Sequence, residues 1–363
     1  MRRVAAVLAA ALLLAGCSGS DSSTLPGYDL GRQPSAEPTT APPSDTPSPT
    51  ASGEPDAPAV LDWQPVEGDP TAETTVSGRW RLSLTEGGEA TLTGPREVAL
   101  DVPRDFRVTD ALLDTDHAVV VAEHERAEQP NVATVVDLAS GRTSTIDGDS
   151  EVPTTVGGTW ALGSGLLVHA TTQGRDYCLA VADLVTGRSR LGPCVPPRHG
   201  ITNAHVSPAG ITAMTFDDGR PSCRTLNRVE GDDFVPLAGV QECRGWEAVA
   251  TETFAAWGVV PRERRIEDSV YLVDTGEGPV EIGPGTTGSL TWCGSAAYVV
   301  RDPQRAGDPA RLLRVAPDGG TEVVYESPGR GKAFLSAPRC GGSHLTISAF
   351  SAAGDEQVTA ALD

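Results

Sequence analysis

Lysine is almost missing from this chain. Lys332 is the only one in 363 residues, so the basic charge rests on arginine. With the abundance of Ala, Gly and Pro, that bias marks a GC-rich coding sequence and nothing more. Aromatic residues are also few, at 5%. The six tryptophans, Trp80, Trp160, Trp246, Trp257 and Trp292 among them, are read as packing residues. No stretch beyond residue 60 keeps a helical spacing of apolar positions for long, which points to strands. No apolar run of ~18 or more residues follows the first sixteen, so nothing later is long enough to cross a bilayer as a helix. No two cysteines stand at the close spacing of zinc sites, and no G-x-S-x-G nucleophile elbow occurs. His117, His124, His169, His199, His205 and His344 are scattered, with no H-x-x-x-H pair.

What the chain has in excess is negative charge. The formal net charge is −21, and loss of Arg2 and Arg3 with a cleaved leader makes it −23. Such a polyanion is repelled by nucleic acid and by acidic lipid head groups, which excludes nucleic acid as a partner.

The chain opens Met1-Arg2-Arg3, continues with an apolar run from Val4 to Leu14, and reaches Ala15-Gly16-Cys17. That run is roughly half of the ~20 apolar residues a transmembrane helix needs, so it is read as an export signal. Leu14-Ala15-Gly16-Cys17 resembles the lipobox of bacterial lipoproteins. The resemblance implies diacylglycerol on the Cys17 sulfur and cleavage before that residue. It implies as well a lipid-anchored place on the extracytoplasmic face of the cell membrane. Residues 1–16 are then the signal peptide. Residues 17–59 carry the lipidated cysteine and a Pro/Ser/Thr-rich tether, in which Pro34, Pro38, Pro42, Pro43, Pro47 and Pro49 forbid helix and favour disorder.

From residue 60 to 363 a unit repeats: an apolar strand, a loop, a second strand, a glycine turn and a short closing strand. The turn glycines Gly141, Gly187, Gly231, Gly276 and Gly319 recur about every 45 residues, the period of propeller blades. Glycine suits a tight hairpin turn because it tolerates φ > 0. One further blade fits the N-terminal part, with strands at Ala72–Ser77, Gly78–Leu84, Glu89–Thr93 and Glu97–Asp101. The last unit, about Phe334 to Leu362, lacks a fourth strand, and Val60-Leu61-Asp62-Trp63 is expected to supply it. The expected fold is an all-β propeller of seven blades, or six if the first unit only patches an edge. Val206-Ser207-Pro208-Ala209-Gly210-Ile211 resembles the blade-start motif of WD40-like propellers in TolB-type periplasmic proteins. The match covers one blade and departs at Ala209, where those repeats usually have Asp.

Six cysteines beyond Cys17 in an exported chain are expected to form disulfides. Cys178 and Cys194 flank the turn at Thr186, and Cys223 and Cys243 are centred just past Gly231, so each pair faces across or just beyond a hairpin. Cys293 and Cys340 lie about one blade apart, each just ahead of an inner strand, and would staple adjacent blades.

No catalytic constellation, resident metal or cofactor emerges from the residues. Sialidase-type Asp boxes and the repeated tryptophan motif of quinoproteins are absent. Gly341-Gly342-Ser343-His344 places a serine beside a histidine, but neighbours on a strand point to opposite faces, so it reads as a loop. His169, at the end of an inner strand, and His205, shortly ahead of the next, are the better metal candidates at a central channel, and ordinary hydrogen bonding is the simpler reading of both. Asp147-Gly148-Asp149-Ser150-Glu151 reads as a solvated acidic turn rather than a Ca²⁺ loop.

In a propeller, the loops after the second strand and those between blades share one face. Those loops hold Arg175, Arg220, Arg262, Arg264, Arg265, Arg301 and Arg305, together with Arg126, Arg198, Arg244, Arg330 and Lys332. This is a candidate binding rim for an anionic ligand or an acidic protein loop. Interspersed carboxylates such as Asp218, Glu263 and Asp268 oppose it through local ion pairs. The expected function is a membrane-anchored binding or scaffolding module for an extracytoplasmic protein or small ligand. The alternative is a propeller hydrolase or lactonase with a metal-dependent site at the channel.

Overall fold

The computed structural model describes residues 61–329 and 332–362. The expected signal peptide, Cys17 and the expected tether therefore lie outside the described residues. Among the described residues no helix is long and apolar enough to cross a membrane.

The chain is a seven-bladed β-propeller, and the six-bladed alternative is excluded. Every sheet is antiparallel, and all but the last are built from consecutive strands alone. The first blade is Glu73–Ser77, Trp80–Leu84 and Ala90–Thr93, and the second is Phe106–Leu113, His117–His124, Val132–Asp137 and Thr143–Ile146. The third runs Trp160–Gly163, Leu166–Gln173, Asp176–Asp183 and Arg188–Val195. The fourth is Gly200–Ser207, Gly210–Phe216, Arg224–Glu230 and Asp233–Pro236, and the fifth is Gly245–Ala250, Ala255–Val259, Val270–Asp274 and Val280–Pro284. In the sixth, Thr291–Cys293, Ala296–Arg301, Arg311–Val315 and Thr321–Glu326 follow in order. The seventh has a broken innermost strand, Phe334–Leu335 and Arg339–Cys340, then His344–Phe350 and Glu356–Ala361.

The ring is closed by the start of the domain. Trp63–Pro65 pairs with the last strand, Trp63 opposite Ala360 and Pro65 opposite Val358. The closing segment starts three residues later than the expected Val60–Trp63 and ends two residues later, and Val60 itself is outside the described residues. Trp63 fixes it: its indole donates to Val324 O at 2.8 Å, and its ring lies edge-on to Tyr325 at 5.2 Å.

Three other expectations need correcting. Glu97–Asp101 is not a strand, so the first blade has three. Pro95 offers no N–H for a ladder, and Gly94 is pressed so closely on the Trp80 ring that no Cβ would fit. The chain there packs Val98 and Leu100 on the core instead of pairing. The strand expected first in each unit, such as Ala118–Ala122, is the second of its blade, because each blade begins with an innermost strand that lacks a long unbroken apolar run. Cys293 and Cys340 accordingly lie inside innermost strands, not ahead of them.

The innermost strands escape pattern reading for a physical reason. They line the axis, so they mix polar and apolar residues. Three of them also carry bulges, between Val108 and Asp110, Thr202 and His205, and Gly245 and Glu247. A bulge breaks the two-residue alternation. At the second of these, Asn203 takes φ 48° and its amide donates to Trp246 O at 2.7 Å.

The turn glycines behave as expected: Gly141, Gly187, Gly231, Gly276 and Gly319 all have positive φ, from 64° to 99°. Three disulfides form, Cys178–Cys194, Cys223–Cys243 and Cys293–Cys340. Cys178 and Cys194 sit opposite one another in the third blade's outer hairpin. The second bond joins the loop ahead of Arg224 to the connection between blades four and five. The third staples blades six and seven at the axis.

Candidate functional site

A propeller has two unlike faces, and the strand directions assign every loop to one of them. The glycine turns between third and fourth strands lie on one, called here the turn face, with the turns between first and second strands. The loops between second and third strands lie on the other with the connections between blades; this is the loop face. The last strand runs from the loop face to the turn face and ends at Ala361. Trp63, opposite Ala360, therefore starts at the turn face. The chain enters the propeller on the face opposite the arginine-bearing loops.

The rim arginines are divided by their partners. Arg262 bonds Asp268 at 2.6 Å, and Arg265 lies 3.4 Å from Glu267 and 3.3 Å from Asp268. Arg301 is drawn into the fold, donating to Ile282 O at 2.6 Å and Pro284 O at 3.0 Å. Arg198 is paired with Asp218. Arg175, Arg220, Arg264 and Arg305 are exposed and have no ion pair within 4.0 Å among the described residues. Arg330 is outside the described residues. Arg175 and Arg305 stand alone on the third and sixth blades. Arg220 and Arg264 share one wall-to-wall depression.

That depression, about 1290 Å³, spans blades four and five. One wall is Gly219–Arg224, the floor is Glu242-Cys243-Arg244, and the other wall is Pro261–Arg265. The Cys223–Cys243 bond ties the first wall to the floor. Beneath them Arg224 is buried at 5% exposure, its guanidinium 5.3 Å above the Trp246 ring and Nη2 2.9 Å from Val260 O. Its Nε and Nη1 have no hydrogen-bond partner, and no carboxylate lies within ion-pair distance among the described residues. Burial lowers its pKa, while the charge of nearby Glu263 acts in the other direction. Sequence reading missed Arg224, although an arginine directly after a cysteine at a strand start was the available signal.

The central channel is chemically different. A cavity of about 260 Å³ is lined by Leu112, Trp160, Leu162, His205, Trp292 and Arg339, and another of about 310 Å³ opens at the turn face beside Asp114, Asp116 and Ser343. Burial holds the His205 imidazole down at about 4, so it is neutral near pH 7. Burial also lowers Arg339, to about 10; its guanidinium donates to Ala111 O at 3.2 Å and pairs with Glu73. His169 is buried elsewhere, stacked on Trp160 at 5.0 Å, with Nδ1 2.9 Å from Ala170 O. Among the described residues no three His, Cys, Asp or Glu side chains converge in a metal-holding group.

Two smaller motifs resolve locally. Asp147 folds on its own turn, Oδ1 accepting from Asp149 N at 3.0 Å and Ser150 Oγ at 3.1 Å. Ser343 and His344 do touch, with Ser343 Oγ 3.3 Å from Nδ1, because Ser343 is still in the turn and strand alternation has not begun. No carboxylate of the described residues hydrogen-bonds that ring, so nothing orients it as a base.

A second missed residue is Glu247, the one acid in the apolar run Trp246–Ala250. It is buried between blades five and six and accepts from Tyr271 Oη, Gly288 N at 2.8 Å and Leu290 N at 3.3 Å. Burial pushes its carboxyl up to about 7. Its contacts are all internal, so it clamps the loop entering blade six.

No protein-family model matches the chain, and no curated protein does. Among solved structures the chain is similar to a prolyl endopeptidase, with a TM-score of 0.52 and 14% identity over 78% of this chain. The match covers 45% of that enzyme, so the chain spans less than half its length. It is also similar to the β-propeller domain of the Trilobed protease from Pyrococcus furiosus, at a TM-score of 0.52 and 10% identity, covering 80% of this chain and 95% of that one. That domain is described as having an open velcro topology. Here Trp63–Pro65 closes the last blade. At such identities the likeness is one of fold alone.

Proposed function

We propose that this chain is a lipid-anchored extracytoplasmic binding module whose loop face receives a partner. The observation that carries the reading is the arrangement of charge relative to the point of entry. The domain starts at the turn face, while an arginine-lined depression opens on the loop face. A partner seated there meets loops held by rigid strands, on the face away from Trp63. Lipidation at Cys17 belongs to the same reading and is supported by the lipobox resemblance of Leu14–Cys17.

Photo-crosslinking on intact cells tests the face. A crosslinking residue at position 242 or 263, both exposed and lining the depression, should capture a partner, and one at 186 or 318, in turn-face hairpins, should not. Capture only from 186 or 318 overturns the assignment. For the anchor, Cys17→Ala should abolish incorporation of labelled lipid and release the chain into the medium; retention at the membrane would sink that part.

A further inference from the structure

We infer that the depression between blades four and five recognises an extended acidic peptide segment, an inference that rests on the loop-face reading above. Its size comes first. About 1290 Å³ is larger than the roughly 300–1,000 Å³ of ordinary small-molecule pockets and suits a stretch of chain. Its charge is the second point. Arg262 and Arg265 are held by Asp268, but Arg220 and Arg264 on opposite walls are unpaired among the described residues. Among the described residues the Arg244 side chain between them hydrogen-bonds Gln241 Oε1, at 3.2 Å, and forms no ion pair. Planar guanidinium groups on two walls and the floor can each grip a carboxylate through two parallel bonds.

Arg224 supplies the independent observation. It is a buried cation with two donors unused and no carboxylate in contact, its charge offset only at a distance by Glu263. An anion seated in the depression above it supplies a counter-charge in contact. The walls decide between a peptide and a phosphate polymer. Pro221, Pro261 and the Cys223–Cys243 bond give apolar surface, and Glu242 and Glu263 interrupt the arginines. A continuous polyphosphate has nothing apolar to bury and is repelled by both glutamates. A peptide with spaced carboxylates buries its intervening side chains and places backbone N–H groups against those glutamates.

The test uses the full-length protein in detergent at about 150 mM salt, where charges beyond roughly 8 Å are screened. The probe is a labelled peptide of Glu-Val-Glu-Pro repeated three times, followed by fluorescence anisotropy, with inorganic polyphosphate of similar length as the competitor. Arg220→Ala with Arg264→Ala should weaken peptide binding about tenfold or more. The pair Arg220→Lys with Arg264→Lys keeps the charge and loses the fork, so it should recover only part. Arg175→Ala with Arg305→Ala, on the same face but outside the depression, should stay within about twofold. All four positions are exposed, so folding is not at stake, and a thermal melt checks it. Peptide binding that is absent or indifferent to the first pair overturns the inference, as does polyphosphate binding more tightly than the peptide. Loop-face crosslinks that persist in the Arg220/Arg264 variant would remove the acidic-peptide site and leave the binding module standing. Loss of all loop-face crosslinks in the unaltered protein would remove the reading beneath it.

Discussion

Blades four and five meet through Met214, Leu226, Ala248, Trp257 and Val259, all buried and apolar. Blades seven and one meet through Thr346, Ser348 and Gln357 on one side and Thr74, Thr75 and Ser77 on the other, all buried and polar. Each of the other blade contacts has an apolar cluster like the first. The closing contact is held instead by bonds of defined direction. Gln357 Nε2 donates to Ala72 O at 2.9 Å and Ser348 Oγ at 2.8 Å, Thr346 Oγ1 accepts from Val76 N at 3.3 Å, and Arg339 pairs with Glu73. A cavity of about 90 Å³ remains among them, and Gly341 abuts Val76 O so closely that a Cβ has no room. Apolar contacts are non-directional and tolerate adjustment; polar ones act only when blade is set against blade in register. The seam that must join the two ends of the domain is the one built to be specific rather than adhesive.

Truncating an apolar seam should cost most. Trp257→Ala removes a fully buried ring between blades four and five and should destabilise the protein by about 3–5 kcal/mol, read as a lowered denaturant midpoint. The apolar seam between blades five and six has one charged exception, which sharpens the comparison through pH. Glu247 has its folded pKa raised to about 7 by burial, above an unfolded value of 4.5. The native state then holds the proton more tightly than the unfolded state. Stability should be full below about pH 4.5 and fall by on the order of 3 kcal/mol as pH rises through 7. His205 acts with the opposite sign, its depressed pKa adding stability as pH rises from about 4 towards 6.5. Melting points from pH 4 to 8 should therefore lose their alkaline decline in Glu247→Gln and keep it in His205→Gln. At the polar seam the effect should be smaller. Gln357→Ala leaves Ala72 O and Ser348 Oγ without their donor, costing about 1–3 kcal/mol by chemical denaturation. If Gln357→Ala costs more than Trp257→Ala, the assignment of adhesion to the apolar seams is wrong.

The same contrast explains what was legible. Second strands such as His117–His124 and Ala296–Arg301 are buried on both faces, so they stand out as apolar runs, and the glycine turns mark the period. The disulfide pairs followed from that period. In Trp80-Arg81-Leu82-Ser83-Leu84 the alternation reads equally as a strand facing water, yet Ser83 bonds Thr74 within the closing seam. The channel-lining strands were illegible because bulges shift their phase. The rim arginines could be named as a set, but Arg262, Arg265 and Arg301 could not be told from Arg220 and Arg264. A guanidinium's partner depends on which loops the ring brings together.

Local chemistry alone therefore determined the repeat, the all-β class, the cysteine pairing and the end-to-end closure, because each depends on residues within about one blade of sequence or on a missing strand. The tertiary structure decided which polar faces were buried, which arginines were left unpaired, and that Arg224 came to lie buried over Trp246. Those depend on how neighbouring blades meet, and one-dimensional spacing carries no measure of that.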